Sequence, residues 1–298
     1  MPIAAVLLAC SILFALPQAS SSFKADPPMK CAACDAWNGP REPFRLFGNT
    51  YYVGVAGLSS LLVTSDEGHI LLDGGLPQSA SVIDANIRKL GFRTEDIRLI
   101  VASHEHYDHV GGIAALQRAS GAVVAHSEPG ARALAKGEPN ADDPQFAFGR
   151  EANAYPAVKN VRVVSDGEAV RVGPLSVTAH RTPAHTPGSV TWSWRSCDGP
   201  RCLNMVYADS LNPVSAGGFR FSADAARLAA FRASIATVAA LPCDIVIAVH
   251  PGFTDIDGKL KRRATRPDLD PFIDVQGCRA YAANATKGLD ARVATETR

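Results

Sequence analysis

Apolar and polar positions follow two rhythms along this 298-residue chain. Residues 43–55 and 59–73 carry the short apolar runs of β-strands, broken by turn formers at Gly48-Asn49 and Asp66-Glu67-Gly68. Ile83, Ile87 and Leu90 then fall at helical spacing, with Gly91 as a stop. A strand over 97–102 runs straight into a polar cluster. Val110, Ile113 and Leu116 open a second helix that Gly121 closes. Residues 122–125 read as a strand and 131–136 as a short helix. Residues 137–160 hold Gly, Pro, Asn and Asp without period, which predicts a long loop, and long loops often carry function.

The second half has the same character. Strands are expected near 161–164, 169–172, 175–180, 189–195 and 205–208. Leu228, Phe231, Ile235 and Val238 mark an amphipathic helix. Residues 245–249 read as a buried strand ending at His250, and the tail from Cys278 is helical in character. Strands alternating with helices in two similar halves predict an α/β fold, two packed sheets with helices outside. No repeat, low-complexity segment or linker divides the chain, so residues 22–298 read as one domain behind a leader at about 1–21.

Composition narrows this picture. At 47% hydrophobic and 20% charged, the chain can bury a sizeable core and is too apolar for disorder. The net charge is +1 and no long basic tract interleaves with aromatics, so no nucleic-acid partner is expected. The densest basic run, Lys259-Leu260-Lys261-Arg262-Arg263, reads as a solvated surface. Residues 3–16 are almost uninterruptedly apolar, too short for a helix that crosses a bilayer, which takes about 20 residues. The run suits the apolar region of a secretory signal cleaved near 19–22, although no Lys or Arg precedes it. Leu7-Leu8-Ala9-Cys10 also looks like a lipoprotein cleavage box, which leaves lipidation of Cys10 open. The expected location is the periplasm, with no stable membrane insertion once the leader is gone.

The cysteines fit export. Without Cys10, six remain, and an even number in an exported protein suggests disulfides. Cys197 and Cys202 bracket a turn-like Asp198-Gly199-Pro200-Arg201, and Cys243 then pairs with Cys278. Cys31 and Cys34 form a C-x-x-C that reads as a short-loop disulfide, with half of a zinc knuckle or a redox pair as the alternatives.

The chemistry concentrates in His104-Glu105-His106-Tyr107-Asp108-His109, between a strand and a helix. In extended chain, residues two apart share a side, so His104 and His106 can reach one metal. The first helical turn presents Asp108 and His109 toward a neighbouring point, so one loop can serve two metals, zinc first by donor type with iron and manganese as alternatives. Packed so densely without metal, these imidazoles would repel when charged and lack partners when neutral. Glu105 and Tyr107 alternate with them and take supporting or packing roles. His185 lies in the turn Thr182-Pro183-Ala184-His185-Thr186-Pro187-Gly188, and His250 follows a buried strand; strand-end loops are where functional residues gather. His69, His126 and His180 read as structural or surface residues.

Together, H-x-H-x-D-H, the T-P-x-H-T-P-G turn, the Val249-His250-Pro251-Gly252 segment and Leu71-Leu72-Asp73-Gly74-Gly75 resemble the metallo-β-lactamase superfamily, from about Phe44 to the C-terminal helix. The chain is most similar to its subclass B3, through residues 48–54, Asp143-Pro144-Gln145-Phe146, residues 191–197 and Tyr207-Ala208-Asp209-Ser210-Leu211. The resemblance implies an αββα four-layer sandwich with two Zn²⁺. His104, His106 and His185 would hold the first ion, and Asp108, His109 and His250 the second. Zinc lowers the pKa of a bound water to about 7, giving a nucleophile for the β-lactam amide bond of antibiotics. Asp108 would orient that nucleophile, Asp73 would accept a ligand N–H or, alternatively, cap the turn at its strand end, and Ser210 with Asn212 would meet the substrate carboxylate. Subclass B3 commonly has Ser or Thr at the position of Asn212 and often Gly at that of Ala184. The expected partner is a small-molecule β-lactam, and the expected state a monomer. The alternative is a glyoxalase II-like thioesterase or a lactonase, in which Asp209 would mimic a bridging aspartate; export with disulfides fits that reading poorly. A non-catalytic zinc-binding scaffold would have lost a ligand, and all six are present.

Overall fold

The computed structural model describes residues 23–266 and 268–297, so the leader at 1–21 and Cys10 lie outside the described residues. Seven strands form the first sheet in chain order: β1 (Phe44–Phe47), β2 (Thr50–Tyr52), β3 (Leu61–Val63), β4 (His69–Leu72), β5 (Ile97–Val101), β6 (Val123–His126) and β7 (Val161–Val163). The second sheet runs β12 (Ile245–Ala248), β11 (Arg201–Ala208), β10 (Val190–Asp198), β9 (Leu175–Arg181) and β8 (Ala169–Val172). Both are mixed: β4 through β7 pair in parallel, as do β11 and β12, and the other neighbours are antiparallel. Among the described residues the helices are α1 (Cys34–Trp37), α2 (Ser79–Lys89), α3 (Tyr107–Val110), α4 (Ile113–Ser120), α5 (Glu128–Lys136), α6 (Arg150–Asn153), α7 (Ala225–Ala240), α8 (Ile256–Thr265) and α9 (Gly277–Glu296).

The layering follows from alternation along each strand. In β4, Ile70 and Leu72 enter the core between the sheets, whereas Leu71 faces the helices. In β5, Leu99 and Val101 face inward and Ile100 faces α2 and α4. In β11 and β12, Met205, Tyr207, Ile245 and Ile247 meet the first sheet, while Val206, Val246 and Ala248 pack under α7 and α9. These strands are buried on both faces, which explains why their sequences are continuous apolar runs. Trp192, fully buried, is among the largest side chains of the inter-sheet core.

Several local expectations are corrected. The helix expected from Val110 is two helices, broken at Gly111-Gly112. A Cβ at Gly111 would lie 2.4 Å from the Tyr107 carbonyl oxygen, and one at Gly112 would lie 2.3 Å from that of Gly74. The backbone there packs against the turn after β4. Residues 137–160 are not wholly irregular: a 3₁₀ turn (Phe146–Phe148) and α6 interrupt the loop. The basic run is no bare solvated surface. It forms α8, capped by the Asp255 side chain on the Gly258 N–H, and Lys259 is buried with its ammonium 5.8 Å from the Phe272 ring centre. All three expected disulfides form: Cys31–Cys34, Cys197–Cys202 across the β10–β11 hairpin, and Cys243–Cys278 tying the approach to β12 onto α9.

His126 at the end of β6 carries a testable pH dependence. Burial, then the Arg181 charge, lowers its pKa from 6.5 to about 3; Glu105 lies 3.9 Å away. The imidazole is neutral when folded and takes a proton when unfolded, so its contribution is complete above about pH 6.5 and is lost as pH falls toward 3. At pH 5 the loss is about 2 kcal/mol. Urea unfolding of His126→Gln between pH 7 and 5 is expected to show a flatter slope than wild type; equal slopes would remove His126 from the acid response.

Candidate metal centre

The six expected ligand residues meet along one edge of the sandwich. Parallel strands end together, so β5 delivers the His104–His109 segment beside Asp73 at the end of β4. On the second sheet β12 delivers His250, β11 delivers Ser210, and the turn from β9 to β10 delivers His185. His106 is the N-cap residue of α3 with extended backbone, which turns the chain so that Asp108 and His109 project from the first helical turn.

Ligand-type atoms of His104, His106 and His185 all lie within 4.8 Å of one another, as do those of His104, Asp108 and His109. Asp108 Oδ2 is 3.2 Å from His109 Nε2 and 3.5 Å from His250 Nε2. The imidazole rings of His104 and His109 sit 4.2 Å apart, centre to centre. His104 Nε2 and His109 Nε2 are buried without a hydrogen-bond partner, although buried polar nitrogens are normally satisfied. Bound metal would satisfy these nitrogens, and the donor set suits it.

The outer nitrogens are aimed by other groups, as metal-binding imidazoles require. His104 Nδ1 lies 2.7 Å from Asp209 Oδ1, and His106 Nε2 lies 3.0 Å from Asp143 Oδ2. His185 Nδ1 donates to the Asn212 carbonyl at 2.7 Å, and His250 Nδ1 to the Gly57 carbonyl at 3.1 Å. His109 Nδ1 faces Asp73 Oδ2 at 3.5 Å. Asp73 is itself fixed by the Ser103 N–H, the Ser103 hydroxyl and the Tyr207 hydroxyl at 2.6–2.8 Å, and it holds the left-handed φ of +60°. A non-glycine residue keeps that backbone only where its surroundings over-determine it.

Electrostatics divide the cluster. Burial, then repulsion from neighbouring imidazoles, pushes His104 well below the usual histidine range, His185 to about 3 and His250 to about 4. Burial opposes charge on His109 too, but Asp108 and Asp73 outweigh it and raise it to about 10. Burial likewise opposes charge on His106, where Asp143 prevails and raises the pKa. Neutral imidazoles and ionised carboxylates are the forms that bind metals.

The cluster floors a cavity of about 560 Å³ lined by Trp37, Tyr107, Gln145, Ser210, Asn212 and Phe253. Clefts of about 670 and 640 Å³ lie elsewhere, but none of the six ligand-type side chains lines them.

The model of the metallo-beta-lactamase superfamily matches residues 53–198. The solved structure of the Rm3 metallo-beta-lactamase is 53% identical, superposes with a TM-score of 0.87, and covers 90% of this chain while this chain covers 100% of it. The chain belongs to the metallo-beta-lactamase superfamily. Its B3-type resemblance also holds in structure: MEM-A1, a subclass B3 metallo-beta-lactamase from a soil metagenome library, is 50% identical, with a TM-score of 0.84 over 88% of this chain and 98% of that one. A hydroxyacylglutathione hydrolase of Anaeromyxobacter dehalogenans (strain 2CP-C) is 31% identical over 183 residues, 61% of this chain. The chain spans only about half, 55%, of that curated relative.

As a member of this superfamily the chain binds metal. The αββα sandwich of two mixed sheets is the expected one. Three contacts of this metallo-beta-lactamase-type centre were not assigned from the sequence, although Asp143, Gln145 and Asp209 lie in the motifs that resemble subclass B3. Asp143 and Gln145, inside the long loop, reach His106, and Gln145 also reaches His185. Asp209 backs His104, with no place in either ligand-type group. Trp37 packs 5.4 Å from the His250 ring, brought there by the segment that carries the Cys31–Cys34 disulfide. The motif resemblance marked Asp143 and Gln145, but nothing in an aperiodic loop says which imidazole they reach. His69, His126 and His180 stand outside both groups: His69 packs edge-on to Phe92, and His180 bonds Ser193.

Proposed function

We propose that the protein is a subclass B3-type metallo-β-lactamase that opens the β-lactam amide of penicillins, cephalosporins and carbapenems and so confers antibiotic resistance. What carries this reading is the match of about nine-tenths of the chain to solved metallo-beta-lactamases, together with the converging His104, His106, Asp108, His109 and His185 and with His250 3.5 Å from Asp108. His104, His106 and His185 would hold one zinc ion, and Asp108, His109 and His250 a second. When bound, such a pair supplies Lewis acidity and lowers the pKa of water toward neutrality. Asp108 would hold the second ion and orient the attacking water. Asp209, Asp143, Asp73 and the carbonyls of Asn212 and Gly57 fix the imidazoles, so little reorganisation remains at the moment of reaction. Ser210, with Asn212, receives the substrate carboxylate at the cavity wall.

The thioesterase reading rests on the partial match to the hydroxyacylglutathione hydrolase. It would use Asp209 as a bridge between ions, yet Asp209 faces the outer nitrogen of His104. Export to the periplasm as a monomer, after removal of residues 1–21, is part of the same proposal; three disulfides and the apolar N-terminal run support export.

The test is turnover of a penicillin, a cephalosporin and a carbapenem against a lactone and a glutathione thioester, each with and without chelator. Chelator-sensitive β-lactam opening is expected, and brisk thioester cleavage without it would overturn the reading. Ser210→Ala is expected to raise KM for penicillin roughly tenfold, the worth of one hydrogen bond to a charged group. An unchanged KM would take Ser210 out of substrate recognition.

A further inference from the structure

We infer that Glu105 is a positioning residue that clasps the His185 turn onto the His104–His106 loop, assembling a three-imidazole site from two separate sheets; this rests on the metal reading proposed above. Glu105 is fully buried and belongs to neither ligand-type group. Its Oε2 accepts from the Thr186 hydroxyl at 2.6 Å, and its Oε1 accepts from the Gly188 N–H at 3.0 Å. Thr186 directly follows His185, so the carboxylate grips the turn next to the imidazole. The fit is close: a Cβ at Gly188 would lie 2.4 Å from Glu105 Oε2 and 2.6 Å from the Gly130 nitrogen. Two further bonds complete the dock. The Ser127 hydroxyl donates to the Gly188 carbonyl, and the Val190 N–H donates to the Ser103 carbonyl.

No lysine or arginine pairs with Glu105 among the described residues; the nearest basic side chain is His126, 3.9 Å away and held neutral by burial. An unpaired buried carboxylate works against stability. Its two bonds instead fix the one turn that brings a ligand-type imidazole to the His104 and His106 pair from the second sheet. Asp209 and Asp143 aim rings whose backbones are already placed; Glu105 places a backbone. Asp108, His109 and His250 need no such bridge from Glu105, so the effect belongs to one ion and not the other.

The test uses the mature protein and zinc, with site affinities read by competitive chelator titration. Cobalt absorption bands are assigned to the first site by their loss in His185→Ala. Glu105→Ala is expected to weaken the first site at least about tenfold and to leave the second within about twofold. Glu105→Gln is expected to restore the first site: its amide oxygen accepts from Gly188, and its amide N–H donates to Thr186, whose proton turns to the Ser189 hydroxyl 3.0 Å away. Thr186→Val removes one clasp bond at nearly constant volume and is expected to weaken the first site roughly fivefold, the worth of one hydrogen bond. If Glu105→Ala does not fold, the Thr186→Val and Glu105→Gln pair decides. Equal weakening of both sites, glutamine as poor as alanine, or wild-type affinities throughout would overturn the clasp. A wild-type protein that takes up no metal would instead overturn the reading beneath it.

Discussion

His106→Ala is expected to lower kcat/KM for β-lactam opening by at least about a thousandfold, because electrostatic stabilisation is usually the largest single contribution to such catalysis. The substitution removes one of three converging imidazoles, the others being His104 and His185. It also removes the 3.0 Å partner of Asp143 Oδ2, leaving a buried carboxylate whose remaining bond is from the Gln145 N–H. Metal content separates the two effects. Loss of one equivalent of zinc with a native circular dichroism spectrum would mark a ligand, and loss of fold would mark a structural prop. A variant that kept full activity and its metal would end the ligand assignment. Chelation of the wild-type protein should reproduce the loss, and added zinc should reverse it.

Trp192→Ala is expected to destabilise the metal-free protein by about 4 kcal/mol, in the usual range for truncating a buried aromatic. In a domain of this size that corresponds to a fall in Tm of roughly 10 °C. Trp192 fills the space between the sheets, and its indole N–H donates to the Ala102 carbonyl at 2.8 Å, two residues before His104. The side chain thus packs the core and anchors the approach to the metal loop. Trp192→Phe keeps most of the volume but orphans that carbonyl, so about 1 kcal/mol is expected from the lost bond. Thermal melts of both variants without metal check the pair; an alanine variant within 1 kcal/mol of wild type would show that the core collapses around the gap.

The legible parts of the chain are those where local chemistry is repetitive. The apolar runs of β4, β5 and β12 marked strands because both their faces are covered. The spacing of His104, His106, Asp108 and His109 revealed its chemistry because all four belong to one turn and its geometry is local. Cys197 and Cys202 face each other across a hairpin whose turn is written between them. Less legible were elements set by contact with distant chain. The break at Gly111-Gly112 exists because the turn after β4 comes too close for any side chain, which no helical period records. The helical run of α8 looked like bare surface because nothing near Lys259 in sequence announces Phe272 beneath it.

The same division runs through the site. The amino-acid order carried the α/β class, the His104–His109 cluster and the Cys197–Cys202 turn, because alternation, short spacing and turn chemistry act within a few residues; the four-layer sandwich and the place of His185 and His250 beside that cluster were implied by the family resemblance. Asp73 apart, only the folded chain decided which groups aim those ligands. Asp143 and His106 are 37 residues apart, Asp209 and His104 105 apart, and Glu105 and Thr186 81 apart. Such pairs form when two sheets pack and their strand ends meet at one edge, and the bonds that result depend on distances that the order of residues does not contain.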